Sequence, residues 1–354
     1  MFVLDSHCDT PSQILRRRDM SRDNDHAHID FPKLKKGGVD GAFFALYIPA
    51  AMSSEAGYDY AGRLLSGVRK CVESNPEQAA FACSEDEALA NQAAGRFSVF
   101  LGLENGSPFG GSLERVKEFH DLGIRYVTLC HSADNLICDS CASAVGRWRG
   151  LSPFGKAVVK EMNRLGVLVD VSHISDLSFY DVIDCSEYPV VATHSCCRAL
   201  ADHPRNMTDE MIRVLAQAGG VIQINFYPVF LDKAFSQVLK TSGIMERGEM
   251  IEAAFIADPD DPAKRAAWNG VQDELMALSR PSYRRVVDHI DHVVSLVGVD
   301  HVGLGSDFDG IEVTPSGLED ASHFSILLDE MRSRGYSEDE ISKIAGGNFF
   351  RLMR

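Results

Sequence analysis

Short apolar runs that end in polar residues recur along the chain, and a segment of helical character follows most of them. Near-continuous apolar runs separated by helices are typical of parallel strands that are buried on both faces. We count eight such runs: Phe2–His7, Gly41–Tyr47, Ser98–Asn105, Arg125–His131, Val167–His173, Val190–Ser195, Val221–Phe226 and His301–Asp307.

The segments between the runs carry start and stop signals for helices. Pro153–Leu165 is followed by Gly166, which predicts a C-cap, and Thr208–Ala218 opens on an N-cap threonine with an acidic first turn. Helices are also predicted over Ser112–Leu122, Tyr283–Val297 and Phe324–Arg334. Eight strand–helix units predict an α/β fold, a (β/α)8 TIM-type barrel. The absence of a G-x-G-x-x-G motif after the first strand disfavours a doubly wound sheet.

The segment from Leu231 to Arg280 interrupts this alternation between the seventh and eighth strands. It contains Pro259, Pro262 and many charged residues. A segment of this length predicts a helical insertion over the C-terminal face of the barrel, where such loops usually shape an active site. We expect residues 1–354 to form one barrel domain that includes the insertion at about 231–280.

Polar side chains close most of the predicted strands. Because the carboxyl ends of parallel strands meet at one end of a barrel, we expect these side chains to lie close together. Each histidine alone is more often a solvated or packing residue than a ligand, but their joint placement indicates a metal site. The residues are His7, Asp9, Glu104, His131, His173, His194, Asp307 and Asp309.

The spacing of His7 and Asp9 is that of two residues on one face of a strand, with Cys8 directed into the barrel wall. Imidazole and carboxylate together suit zinc or a similar first-row divalent ion. His173 and His194 can supply a second pair of nitrogens, and Glu104 lies between the two groups in chain order. Five ligands shared by two ions leave positions open for water, so the pattern predicts a dinuclear site suited to hydrolysis.

Three other motifs are weaker. Asp307-Phe308-Asp309-Gly310 lacks the remaining ligands of a calcium-binding loop, and Ser172-His173 lacks the G-x-S-x-G turn of a serine hydrolase. Cys138 and Cys141 form a single C-x-x-C without a second pair, which disfavours a zinc ribbon. A disulfide between them and free loop thiols both stay open.

The charge balance excludes several classes of partner. Lys plus Arg is 35 and Asp plus Glu is 51, so the formal net charge is −16. An acidic surface of this size disfavours nucleic acid and anionic membranes as partners. The chain shows no apolar stretch long enough for a transmembrane helix, and the first four residues are too short for a signal peptide. We therefore expect a cytoplasmic protein that acts on small molecules.

The motifs together resemble the membrane (renal) dipeptidase family of dinuclear zinc peptidases, within the amidohydrolase-like metal barrels. The matching stretches span nearly the whole chain in the family's order. They are DSHCDTP, DFPKLKKGGVDGAFFALYIP, GLENG, RYVTLCHS, DVSHIS, THSCCRAL, HPRNMTD, GLGSDFDG and GGNFFRLM.

The resemblance implies two Zn²⁺ ions per subunit. By its implication His7 and Asp9 bind the first ion, His173 and His194 bind the second, and Glu104 bridges them.

It further implies roles for three residues that handle the substrate. His131 corresponds to the family histidine that polarises the scissile carbonyl and steadies the oxyanion. Arg205, in HPRN, corresponds to the arginine that holds the substrate carboxylate, and Asp307 to the acid that carries protons to the leaving amine.

The implied function is hydrolysis of small dipeptides, L,D-dipeptides among them, and the resemblance leaves a homodimer open. A metal-dependent deacylase or lactonase of the same barrel superfamily is the nearest alternative, and Arg205 disfavours it by favouring substrates with a carboxylate. A non-catalytic binding barrel is a further alternative, which the complete ligand set disfavours.

Overall fold

Each of the eight apolar runs overlaps a β-strand, and these eight strands form a parallel, nearly closed barrel. The computed structural model describes residues 1–353. Its strands are β1 (Leu4–Cys8), β2 (Gly41–Tyr47), β3 (Ala79–Phe81), β4 (Phe97–Glu104), β5 (Ile124–Thr128), β6 (Leu168–Asp170), β7 (Val191–Ser195), β8 (Val221–Ile224) and β9 (Val302–Leu304). The barrel order is β1-β2-β4-β5-β6-β7-β8-β9, and every pairing is parallel. The predicted TIM-type fold is confirmed.

The barrel closes between β1 and the segment that follows β9. The backbone N–H of Asp307 donates to the carbonyl of His7 at 3.0 Å, and that of Asp9 donates to Phe308 at 2.9 Å. β3 pairs only with β4, outside this circuit. The apolar pattern did not predict β3 because a three-residue strand is too short to carry a period of its own.

Helices connect the strands and cover the barrel. They are α1 (Thr10–Leu15), α2 (Phe31–Gly37), α3 (Ser54–Ser74), α4 (Glu85–Ala93), α5 (Glu114–Asp121), α6 (Pro153–Leu165), α7 (Asp176–Cys185), α8 (Asp209–Gln217), α9 (Pro228–Leu231), α10 (Lys233–Ser242), α11 (Ile244–Ala257), α12 (Pro262–Met276), α13 (Arg284–Val297), α14 (Ser325–Ser333), α15 (Glu338–Ser342) and α16 (Asn348–Phe350). The predicted caps are present: Thr208 accepts from the Met211 N–H, and Gly166 is left-handed with φ of 74°.

Alternation along the strands decides which side chains enter the barrel. On β2, Phe44 and Leu46 pack into the large core between the barrel and its helices, whereas Phe43 packs inside the barrel against Phe100 of β4, with ring centroids 4.8 Å apart. Glu104 lies four residues beyond Phe100 on the same strand, so it faces the barrel interior as well.

The predicted insertion is helical. Helices α10 to α12 lie between β8 and β9, the seventh and eighth barrel strands, and they enclose a small apolar core of Phe235, Leu239, Ile244, Val271 and Leu275, which also contacts Val313. Glu252 of α11 approaches the barrel rim, where its Oε1 lies 3.9 Å from Nη1 of Arg16. No helix within residues 1–353 is long and apolar enough to cross a lipid bilayer.

Candidate metal centre

Glu104 is the centre of the polar cluster at the C-terminal rim of the barrel. One carboxylate oxygen, Oε1, lies 3.0 Å from Nε2 of His173, 3.5 Å from Nε2 of His194 and 3.7 Å from Nε2 of His131. The other oxygen, Oε2, lies 3.6 Å from Nε2 of His7. Glu104 is only 2 % exposed. Its carboxylate therefore faces one imidazole on one side and three on the other.

Asp9 and Asp307 complete the side of the cluster that contains His7. The His7 Nε2 lies 3.6 Å from Oδ2 of Asp9 and 3.9 Å from Oδ1 of Asp307. Asn225 donates to the other Asp307 oxygen at 2.8 Å. All five predicted metal ligands, together with His131 and Asp307, are thus brought to one end of the barrel.

His7 on β1 and His194 on β7 lie where the register between neighbouring strands is irregular. The β1–β2 register shifts between Asp5 and Cys8, and the β7–β8 register shifts between Ala192 and Ser195. Leu4 already faces the interior, so simple alternation would direct His7 outward; the irregularity turns its ring inward instead. His7 and Asp9 do meet as predicted, but Asp9 lies beyond the strand, at the N-cap of α1.

Two site residues adopt the left-handed backbone conformation that side chains rarely take. The φ angle is 69° at His173 and 61° at Asp307. Both residues lie in the loops beyond their strands, at the rim. Unfavourable backbone angles of this kind persist where the surrounding structure holds them, and they concentrate at functional sites.

Several polar atoms of the cluster are buried and lack a hydrogen-bond partner in the part of the chain that the structure describes. Within residues 1–353, no hydrogen bond is made by Nε2 of His7, Oδ1 of Asp9 or Nδ1 of His131. Buried polar atoms normally have partners, because an unsatisfied one costs about 1–3 kcal/mol. A cation held between these atoms would satisfy the His7 and Asp9 positions.

Three overlapping groups have ligand atoms close enough to hold an ion. Their atoms lie within 4.8 Å of one another in each group. The groups are His7–Glu104–His194, Glu104–His131–His173 and His7–Asp9–Asp307. Imidazole nitrogens and carboxylate oxygens in this mixture suit zinc and other first-row divalent ions. The residues therefore fit a metal centre, with Glu104 common to two of the groups.

The protonation of the cluster in the metal-free protein reflects its crowding. Burial raises the pKa of Glu104 well above its usual range, and burial raises that of Asp307 to about 7. Burial lowers the pKa of His7, but the charges of Glu104 and Asp9 outweigh it and raise that pKa to about 10. Protons thus substitute for a cation here, and metal binding would release them.

Arg205 lies beside the histidine side of the cluster. Its Nη2 donates to the carbonyl of His194 at 2.9 Å, and its guanidinium lies over the ring of Phe230, 5.3 Å from the centroid. The Nε atom makes no hydrogen bond to any described residue. Arg205, His131 and Asp307 all line a cavity of about 410 Å³ above Glu104. The bond to His194 and a second one from Nη1 to Oγ of Ser195 at 3.4 Å use two of the five N–H donors, so guanidinium donors remain for a bound anion.

A sequence comparison identifies the family. The family model for membrane dipeptidases, peptidase family M19, matches residues 1–354. The chain belongs to this family. The resemblance inferred from the motifs is confirmed, and so is the expectation of a metallopeptidase that hydrolyses peptide bonds.

Individual relatives agree with this assignment. The chain is 31 % identical over 350 residues to the dipeptidase aclJ of Aspergillus oryzae, covering 97 % of this chain and 73 % of that protein. The probable dipeptidase PvdM of Pseudomonas aeruginosa has a similar structure, with a TM-score of 0.84, 25 % identity and coverage of 99 % and 94 % of the two chains. A metallo peptidase of Rhodobacter sphaeroides, solved with a phosphinate mimic of L-Ala-D-Ala, has a TM-score of 0.80, 25 % identity and coverage of 99 % and 98 %.

The cysteines of this dipeptidase are free thiols. Cys138 and Cys141 are not bonded to each other, so the C-x-x-C pair is not a disulfide. Cys8 is fully buried, and its Sγ donates to the Phe43 carbonyl at 3.4 Å, as expected of a packing residue.

Sequence reasoning missed the residues that hold the ligands in place. Tyr126 contacts Nδ1 of His7 through its hydroxyl at 2.8 Å, and Thr193 contacts Nδ1 of His194 at 2.8 Å. Asp5 accepts from the backbone N–H of Ser306 at 2.8 Å. The only signal in the sequence was the presence of polar residues, such as Asp5 and Thr193, inside apolar runs. Such a residue does not by itself show which histidine or backbone group it contacts.

Proposed function

We propose that the chain is a zinc-dependent dipeptidase that binds two ions per subunit and hydrolyses dipeptides with a free C-terminal carboxylate. The observation that carries the proposal is the placement of Glu104. Its two oxygens face imidazoles from opposite sides, His7 on one side and His173 and His194 on the other. A carboxylate so placed is suited to bridging two ions. In this assignment His7 and Asp9 hold one ion, and His173 and His194 hold the other.

The ions, when bound, would supply Lewis-acid catalysis and would lower the pKa of a bound water molecule toward neutrality. Arg205 lines the cavity and binds the terminal carboxylate with guanidinium N–H groups that are not used by His194 or Ser195, and this contact limits the substrate to a short peptide. His131 faces the same cavity and donates a hydrogen bond to the developing oxyanion. Asp307 lies 3.9 Å from His7 and transfers a proton to the leaving amine.

L,D-dipeptides belong among the proposed substrates. Support comes from the Rhodobacter sphaeroides relative, which was solved with a mimic of L-Ala-D-Ala. The cavity of about 410 Å³ is of a size that accommodates a dipeptide.

Matched pairs of substrates test the proposal. Zinc-loaded protein would be assayed with L,L- and L,D-dipeptides, with the amide of each dipeptide, and with a simple lactone. We expect the free dipeptides to be cleaved and kcat/KM for their amides to be about 10- to 100-fold lower, because the charge-assisted contact to Arg205 is lost. Equal rates for acids and amides, or cleavage of the lactone alone, would contradict the proposal.

Arg205→Ala separates substrate binding from structural support, because this arginine also donates to the carbonyl of His194. We expect the variant to lose about 10- to 100-fold in kcat/KM toward the dipeptide acid and to keep the parent rate toward the amide. An equal loss on both substrates would show that Arg205 acts through the fold and not through the carboxylate.

A further inference from the structure

Asp170 is a fully buried carboxylate beneath the metal centre that takes no part in the proposed chemistry. Its Oδ1 accepts from the backbone N–H groups of Ser172 and Thr193, both at 2.9 Å. Its Oδ2 accepts from the hydroxyls of Thr128 and Thr193. The two threonines lie on β5 and β7, so the carboxylate joins three neighbouring strands through neutral donors.

The hydroxyl of Thr193 has a second contact, to His194. Its Oγ1 lies 2.7 Å from Oδ2 of Asp170 and 2.8 Å from Nδ1 of His194. A hydroxyl has one hydrogen to donate, and a carboxylate can only accept. The hydrogen of Thr193 therefore goes to Asp170, and Oγ1 accepts from an N–H at Nδ1 of His194.

This direction of hydrogen bonding determines the tautomer of His194. A neutral imidazole carries one proton, so a proton on Nδ1 leaves Nε2 unprotonated, as an acceptor with a lone pair. That Nε2 faces Glu104 Oε1 at 3.5 Å and Nε2 of His173 at 2.9 Å. We propose that Thr193 and Asp170 are positioning residues that fix His194 in the tautomer whose Nε2 is available to a metal ion. The link to the metal rests on the proposed function, whereas the tautomer itself does not.

Thr128 provides a matched control. Its hydroxyl donates to the same Asp170 oxygen but contacts no ring of the metal centre. Thr128→Val and Thr193→Val each remove one hydroxyl from Asp170, and only the second removes the acceptor from Nδ1 of His194. Thr193→Ser keeps the hydroxyl and serves as the rescue variant.

The first readout is the ¹⁵N NMR spectrum of histidine-labelled, metal-free protein, with His194 assigned by a His194→Gln variant. We expect the parent, Thr128→Val and Thr193→Ser to carry the His194 proton on Nδ1, and Thr193→Val to lose this preference. A proton on Nε2 in the parent, or an unchanged His194 spectrum in Thr193→Val, would overturn the proposal.

The second readout is the Zn²⁺ affinity of each variant, measured by competition with a chromogenic chelator. We expect Thr193→Val to lower the affinity for one of the two Zn²⁺ ions by about 10- to 100-fold. Thr128→Val and Thr193→Ser should bind Zn²⁺ with the affinity of the parent. Equal weakening in both valine variants would show a purely structural role and overturn the proposal. If the parent keeps its Nδ1 proton but binds no zinc, the proposed function fails and the tautomer assignment stands.

Discussion

The two ends of the barrel interior are both buried, but aromatic rings pack at the N-terminal end, whereas the C-terminal end contains buried polar atoms without a hydrogen-bond partner among the described residues. At the N-terminal end, Phe43 packs against Phe100 and Phe349 with ring centroids 4.8 and 4.9 Å apart. At the C-terminal end, Nε2 of His7 and Oδ1 of Asp9 are buried and make no hydrogen bond to the described residues. The first end contributes stability, and the second keeps polar atoms ready for a ligand, as expected of this fold.

Tyr126 links the two ends. Its ring lies 5.1 Å from that of Phe43, and its hydroxyl contacts Nδ1 of His7 at 2.8 Å. The ring occupies space that Gly102 leaves open, since a Cβ at that glycine would lie 2.3 Å from a Tyr126 ring carbon. Tyr126 is therefore one side chain that contacts both the apolar packing and the metal centre.

The largest expected effect is loss of turnover at the polar end. Asp307→Asn preserves shape, and asparagine tolerates the left-handed φ of 61° at this position. We expect kcat to fall by about 10²- to 10⁴-fold, because the proton donor to the leaving amine is lost. Bound metal and the free energy of unfolding should stay close to the parent values. A variant that turns over normally would exclude Asp307 from proton transfer, and one that loses an ion would make it a ligand.

The apolar end should respond in the opposite way. Phe349→Ala removes a ring that is 1 % exposed, and we expect the free energy of unfolding to fall by about 3–5 kcal/mol. Denaturant titration measures this loss, and kcat of the folded fraction should be unchanged. Met250→Ala, at a side chain that is 77 % exposed, is the control, with an expected change within about 0.5 kcal/mol. A loss of bound metal in Phe349→Ala would show that the two ends are not independent.

A smaller effect concerns a histidine that resembles the site residues in burial but not in bonding. His289 accepts from the Cys197 N–H at 3.0 Å and contacts the Leu231 carbonyl at 3.0 Å, so both ring nitrogens are satisfied. Burial lowers its pKa to about 4 from the ordinary 6.5. Between pH 4 and 6.5 the unfolded state therefore binds more protons at this histidine than the folded state does. As a result, His289 makes the free energy of unfolding about 3 kcal/mol larger above pH 6.5 than near pH 4, and this stability is lost as the pH falls through the window.

The measurement compares the parent with His289→Gln in metal-free protein by denaturant unfolding between pH 4 and 7. The parent should gain stability with rising pH more steeply than the variant, by about 3 kcal/mol over the window. Parallel pH curves would mean that His289 is not buried as a neutral group. The proposed dipeptidase activity above pH 7 should be insensitive to this substitution once both proteins are folded.

The sequence contained enough to place the eight strands of the barrel and to bring the rim residues together. Alternation on β4 is regular, so Glu104 could be assigned to the interior from Phe100 and the run around it. The inward turn of His7 could not be predicted, because it depends on the pairing register of β1 with β2. The contact between Tyr126 and His7 joins residues 119 positions apart, and a local pattern contains no information about such a pair.

The most direct test of the proposed two-metal dipeptidase is stepwise reconstitution. Metal-free protein would receive Zn²⁺ in small increments, with bound ions counted by native mass spectrometry and hydrolysis of an L,D-dipeptide followed in the same samples. We predict two ions per chain and activity that reaches its maximum as the second ion is bound. Full activity in the metal-free protein, or saturation at one ion per chain or fewer, would contradict the proposal.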